Sequence, residues 1–375
     1  MKNHIEEYLL NKIELNQKIL FSEFMNLSLY HPDYGYYTNK SNIFGDQGDF
    51  ITSPITSSMF GECISNEFIN IIRSLKKPSI LELGGGDGSL AISMCKHLKK
   101  NKSLPDKYFI LEISENLINH QKERVKKEFP NDYNIFKWIT NLEDIKINGL
   151  VIANEFFDAL PTERFRINNS KLETLYIESN NQSFNYIWDE SSNDFSNELS
   201  RAKNNHNIDF SDGYISELNL NNSKWIKAID KCIESGVLFV IDYGYASQEY
   251  FLHDRSDGTL VCIHKHKSNF DPLSNIGNQD ISSFVNFSHL KNLSLNTDLT
   301  VSGFLSQSSF LINLNILDIH KLKDYSGDEA LIESNKLKNI LLPNTMGELF
   351  KVLVMQKNIE IELKSTREFN QMHKL

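Results

Sequence analysis

The run Ser79 to Ser89, SILELGGGDGS, constrains the fold of this chain more than any other segment. A stretch rich in isoleucine and leucine, with Glu82 inside it, leads into glycines at 84, 85, 86 and 88. Glycine is needed where the backbone takes positive φ or must approach a ligand with no Cβ in the way. A strand ending in such a loop and feeding a helix N-terminus offers backbone N–H groups and a positive dipole end to a polar ligand. A dinucleotide site would carry GxGxxG, but counted from Gly84 its third glycine falls on Ser89, which disfavours NAD and FAD. Alone, the loop is a weak signal, because tight turns also use glycine.

Two later segments add weight. KYFILE ends in Glu112, where a strand-end acid can accept hydrogen bonds from ribose hydroxyls, although such an acid can also be exposed and without a role. GLVIANEFFDALP, residues 149–161, places Asn154, Glu155 and Asp158 just after a third buried run. If that turn is helical, Glu155 and Asp158 share a face, since residues three apart are neighbours. A guanidinium acceptor, always charged and carrying five donors in a planar fork, needs carboxylates to orient it. The competing reading is that the two acids cap a helix whose first turn favours negative charge.

Apolar runs at Pro78 to Leu83, Tyr108 to Glu112, Leu150 to Asn154 and Gly236 to Asp242 are separated by helical patterning. They predict parallel strands buried on both faces, hence a doubly wound α/β sheet that binds ligands at the carboxyl ends of its strands. Thr259 to His264 and Glu348 to Met355 are expected to pair antiparallel at the sheet edge, with an insertion between them. Thr162 to Trp188 alternates apolar with polar residues and predicts an antiparallel meander. Asp189 to Gly213 has few large apolar residues and no clear period, and is expected to be a mobile surface excursion.

With 49 acidic and 39 basic residues, the net charge of -10 repels phosphate backbones, so no nucleic-acid partner is expected and a basic protein would be attracted. The run Lys122 to Lys127 reads as a solvated helix face. Cys63, Cys95, Cys232 and Cys262 lack metal or redox spacing and are expected to be buried free thiols. The first twenty residues hold two early glutamates and no stretch suited to a signal peptide or membrane span, from which a cytoplasmic location is expected. His264 and His266 form an HxH that on a strand would face one way. With no third ligand nearby, no metal is expected.

The chain resembles the MidA-like methyltransferases, which are related to the mitochondrial complex I assembly-factor protein arginine methyltransferase. The resemblance rests on ILFSEFMNLSLYHPDYGYYTNK (19–40), FGDQGDFITSPITSSMFGE (44–62), the glycine loop, NEFFDALP, VIDYGY (240–245), HKSNFDPLSNIGNQDISSFVNF (266–287) and MGELFKVLVMQ (346–356). GDFITSP and NEFFDALP in this order are specific to that family. One departure is the loop itself, which reads GGGDG where many members carry a proline and a basic residue. The resemblance implies a Rossmann-like class I methyltransferase sheet with an N-terminal cap and insertions: the β meander and a mostly helical insert before the last strand. The implied division is a cap over 1–75, a core over 76–266 containing the meander and excursion of 162–213, an insertion on the substrate side over 267–342, and the last core strand and tail over 343–375.

It further implies S-adenosyl-L-methionine as cofactor, held by Gly84, Gly85, Gly86, Gly88, Glu112 and Asn154. Asp49, Phe50 and Thr52 of the GDFITSP loop, with the preceding Gly35 to Tyr37, would close over it. Glu155 and Asp158 are then the candidate catalytic pair, and His266 coincides with a family histidine. The implied acceptor is arginine in a respiratory-complex subunit. A small-molecule O- or N-methyltransferase, and an assembly factor that uses the cofactor only structurally, remain open, as does the oligomeric state, a homodimer included.

Overall fold

The computed structural model describes residues 3–39, 52–323 and 325–375, apart from the Asn204 side chain. The chain divides into two compact, discontinuous units. One comprises Met1–Phe50, Asp158–Trp225 and Tyr245–Leu290, the other Ile51–Phe157, Ile226–Gly244 and Lys291–Leu375.

The second unit is built on a sheet of β1 (Ser79–Leu83), β2 (Lys107–Leu111), β3 (Phe136–Ile139), β4 (Ile147–Asn154), β5 (Ile233–Tyr245), β6 (Thr300–Ser306) and β7 (Phe350–Lys357). Their spatial order is 3-2-1-4-5-7-6. Strands β1 to β5 pair in parallel, whereas β7 runs antiparallel to both β5 and β6. All five residues of β1 are buried, as a central strand covered on both faces requires. Helices α1 (Ser89–Lys100) and α2 (Glu115–Glu128) follow β1 and β2. The Ser114 hydroxyl caps α2 by accepting from the Leu117 N–H. Leu117, Gln121 and Val125 then recur every four residues on its buried face.

The first unit contains an antiparallel sheet. Lys171–Asn180 pairs with Lys18–Leu20, Glu163–Asn168 and Ser183–Glu190, and Glu163–Asn168 also pairs with Ile215–Leu218. The meander expected over 162–188 is therefore present. The 189–213 stretch is not an irregular excursion: it forms a helix, Asn193–His206, that buries Phe195, Leu199 and Ala202.

The two late apolar runs do not pair with each other. Val261–His264 lies in a separate three-stranded sheet between Lys267–Asn269 and Asp280–Ser282, while β7 is flanked by β5 and β6. The HxH does not lie on one strand either. Lys265 and His266 take φ of 50° and 60° in the turn that follows, and His264 Nδ1 lies 2.7 Å from the Asn278 carbonyl. All four cysteines are buried and free. Among the described residues, no helix is long and apolar enough to cross a membrane.

Candidate active site

Three adjacent strands of the second unit end at the same edge. Leu83 of β1 pairs with Leu111 of β2 on one side and with Ala153 of β4 on the other. The chain therefore leaves the sheet side by side at Gly84, Glu112 and Glu155. Each exit is pinned by a backbone bond to the neighbouring strand: Gly84 N–H to the Leu111 carbonyl (3.0 Å), Glu112 N–H to that of Ile139 (3.0 Å), and Glu155 N–H to that of Ile241 (2.9 Å).

In the loop after β1, Gly84, Gly86 and Gly88 take φ of 75°, 51° and 84°, values that side chains with a Cβ rarely adopt. Gly85 is required by space instead. A Cβ there would lie 2.5 Å from Ile110 Cγ2 and 2.9 Å from Gln121 Nε2. Asp87 closes the first turn of α1, accepting from Ser89 N–H (2.9 Å) and Ser89 Oγ (2.8 Å). From α2, Arg124 donates to the Asp87 carbonyl at 2.6 Å and forms an ion pair with its carboxylate.

Glu112 is 8% exposed. Its Oε1 accepts from the N–H groups of Ile113 (2.9 Å) and Ser114 (3.0 Å), while among the described residues Oε2 has only a long contact from Gln121 Nε2, at 3.5 Å. Burial pushes the carboxyl above the usual range, and these three donors oppose that rise. Beneath the loop, the Glu82 carboxylate accepts from Tyr108 Oη at 2.8 Å. Burial, opposed by that bond and reinforced by Asp87 and Glu112, pushes Glu82 up to about 8.

The segment after β4 is not a helix, so neither a shared helical face nor helix capping applies to Glu155 and Asp158. Glu155 takes φ of 49°, a left-handed conformation that costs a non-glycine residue roughly 1 kcal/mol or more and concentrates at functional sites. Fully buried Asp242 of β5 supports the turn, accepting from Phe157 N–H at 3.0 Å and from its own neighbour Tyr243 N–H at 3.0 Å. Asn154 Nδ2 donates to Glu155 Oε1 at 3.1 Å, and Asn154 Oδ1 is buried with no hydrogen-bond partner among the described residues.

Asp158 opens a segment of the first unit. It is buried, and its carbonyl accepts from Ser283 N–H at 3.1 Å. In that unit Tyr36 is fully buried in the core and Tyr37 Oη donates to Asp280 Oδ1 at 2.8 Å. Thr52 precedes the short helix Ser53–Thr56, and its carbonyl accepts from Thr56 N–H and Oγ1. Asp49 and Phe50 lie outside the described residues.

Sequence reasoning passes over Gln121, Arg124 and Asp242. Arg124 sits inside the basic run that reads as a solvated face, and only the fold turns it towards Asp87. The donor and acceptor set suits a cationic nucleoside with an amino-acid tail. The glycine loop leaves backbone without side chains in the way, the Glu112 carboxylate has acceptor capacity for hydroxyls, and Asn154 Oδ1 lacks a donor among the described residues.

A sheet ordered 3-2-1-4-5-7-6 with its seventh strand reversed, together with a glycine loop after β1 and an acid after β2, defines an S-adenosylmethionine-dependent methyltransferase of the α/β class. Residues 63–305 match the family described as "Putative S-adenosyl-L-methionine-dependent methyltransferase", and the chain belongs to it. The fold is similar to that of a Burkholderia thailandensis protein whose crystal structure contains S-adenosyl-homocysteine, with a TM-score of 0.93, 26% identity and coverage of 99% of this chain and 96% of that one.

Over 92% of its length the chain is 27% identical to the Drosophila melanogaster "Protein arginine methyltransferase NDUFAF7 homolog, mitochondrial", covering 83% of that protein. The Caenorhabditis elegans protein of the same name is also 27% identical, with 93% and 85% covered. These relatives are mitochondrial proteins, which overturns the cytoplasmic location expected from the N-terminal composition.

Proposed function

We propose that this methyltransferase modifies a guanidinium nitrogen of arginine in a protein substrate. The observation that carries the reading is the exit of β4, where Glu155 is held in a left-handed conformation beside Asn154 and is followed three residues on by buried Asp158. The names of the fly and nematode relatives support it, as does the acid excess of the chain, which attracts a basic substrate.

S-adenosylmethionine supplies an electrophilic methyl group on a sulfonium. In this reading Gly84, Gly85, Gly86 and Gly88 bring backbone against its methionine part, and Glu112 accepts from the ribose hydroxyls. Asn154 contributes its side-chain oxygen, and Thr52 helps to cover the site. Glu155 and Asp158 orient the guanidinium fork through charge-assisted hydrogen bonds and receive the proton released on transfer, directly or through water. Orientation and exclusion of water then supply most of the rate.

The test is incubation with methyl-labelled S-adenosylmethionine and basic proteins from a mitochondrial extract, followed by acid hydrolysis and amino-acid analysis. Labelled methylarginine, lost in Glu155→Gln and Asp158→Asn proteins that still bind cofactor, is expected. Label confined to small molecules or to other amino acids would overturn the assignment.

A further inference from the structure

We infer that Gln121 is a positioning residue of the cofactor site, whose side-chain amide locks the glycine loop to the ribose-facing carboxylate and so sets the preference for a ribose diol. The inference rests on the reading of the loop and Glu112 as the place where the cofactor binds.

Gln121 is fully buried on the inner face of α2. Its Oε1 accepts from Trp138 Nε1 at 2.8 Å, and its Nε2 donates to the Gly86 carbonyl at 2.8 Å and approaches Glu112 Oε2 at 3.5 Å. Chemistry fixes this orientation. The indole N–H of Trp138 is only a donor and the Gly86 carbonyl only an acceptor, so a flipped amide would set donor against donor and acceptor against acceptor. The amide nitrogen must therefore face the loop and the acid.

One side chain thus holds three elements in register: the loop after β1, the acid after β2, and β3 through Trp138. Packing reinforces the bonds, since a Cβ on Gly85 would approach Gln121 Nε2 at 2.9 Å and one on Gly88 would meet Gln121 Cγ at 3.5 Å. One turn further along the same helix, Arg124 grips the Asp87 carbonyl. Glu112 Oε1 is occupied by two backbone donors, so Oε2 is the oxygen with capacity for a hydroxyl, and among the described residues Gln121 Nε2, at 3.5 Å, is the donor that reaches it.

The consequence is a ligand-specific effect. A buried glutamine that served only stability would, when replaced, weaken every ligand of the site alike. When replaced, a residue that orients the ribose acceptor should weaken S-adenosylhomocysteine several-fold more than an analogue without the ribose diol.

The experiment is calorimetric titration of the full chain with S-adenosylhomocysteine and with its 2′,3′-dideoxy analogue. It uses wild type, Gln121→Glu, Gln121→Met, Trp138→Phe and Glu112→Gln, each checked by thermal melting. For both Gln121 variants, about a tenfold loss for the ribose ligand is expected, the scale of one hydrogen bond to a charged group, with a clearly smaller loss, about threefold, for the dideoxy ligand, which still meets the loop that Gln121 holds through Gly86. Trp138→Phe removes the donor that orients the amide and should show the same selective loss, smaller in size. It also keeps the test decisive if the Gln121 variants do not fold.

Equal losses for both ligands, or unchanged selectivity in the Gln121 or Trp138 variants that fold, would overturn the inference. Glu112→Gln separates the two levels: if it too leaves ribose selectivity unchanged, the reading of the site fails; if it abolishes selectivity while Gln121 and Trp138 variants retain it, only the role of Gln121 fails.

Discussion

Replacing Glu82 by glutamine should make the protein more stable at alkaline pH and remove a pH dependence that the wild type carries. Glu82 is 3% exposed, and burial raises its carboxyl from the ordinary value of 4.5 to about 8. The sign follows from which state holds the proton. Between about pH 4.5 and 8 the unfolded chain has given it up and the folded chain has not. This contribution to stability is therefore fully present below 4.5 and is lost as pH rises through 8.

Each pH step inside that window is worth about 1.4 kcal/mol, so the wild type should lose on the order of 4 kcal/mol from this group between pH 5 and 8. The amide introduced by Glu82→Gln is nearly isosteric with the carboxyl and can still accept the hydrogen bond that Tyr108 Oη gives to Glu82. The assay is urea denaturation at half-unit pH steps, followed by circular dichroism and intrinsic fluorescence and expressed as the variant minus wild-type difference. That difference should grow with pH across the window and level off above it. Parallel stability profiles from pH 5 to 8 would refute the reasoning.

Three further outcomes are expected. Glu112→Gln should weaken S-adenosylhomocysteine binding by roughly 10- to 100-fold in a calorimetric titration, because a charge-assisted bond becomes neutral and an amide N–H faces Gln121 Nε2. Gly85→Ala should cost about 1–3 kcal/mol in denaturant unfolding by overpacking against Ile110 and Gln121. Asp242→Ala should leave the N–H groups of Phe157 and Tyr243 without an acceptor, destabilising the protein by roughly 1–3 kcal/mol per group and lowering transferase activity more than cofactor affinity.

The central sheet is legible in the sequence where local pattern decides the outcome. The glycine spacing after β1 and the long buried runs of β1, β2, β4 and β5 carry their own signal, and so do the acids at their ends. β3 escapes notice because FKWI is four residues long and only Phe136 is fully buried. Helix Asn193–His206 escapes it because its three buried apolar residues, at 195, 199 and 202, sit among asparagines and serines that look like loop. Pairing of the late strands is misjudged for a different reason. Which strand lies beside β7 is settled by contacts remote in sequence, and adjacency of apolar runs says nothing about them.

At the candidate site, residues placed by backbone or strand-end position stand out in the sequence, and those that act by bracing do not. Gln121 and Arg124 are three apart on α2, in a run whose charge resembles a solvated face. Their role exists only once α2 is laid against the loop. The turn holding Glu155 reads as the start of a helix because acids favour first turns. Asp242, which helps hold that turn, comes from a strand more than eighty residues later.

The most direct test of the cofactor site is a calorimetric titration of the folded chain with S-adenosylhomocysteine, wild type beside Gly86→Val. At φ of 51° a β-branched residue is strongly disfavoured, and its side chain would stand in the loop proposed to receive the ligand. One-to-one binding to the wild type and its loss in a Gly86→Val protein that still melts cooperatively are expected. Undiminished binding to that variant, or no heat with a demonstrably folded wild type, would contradict the account.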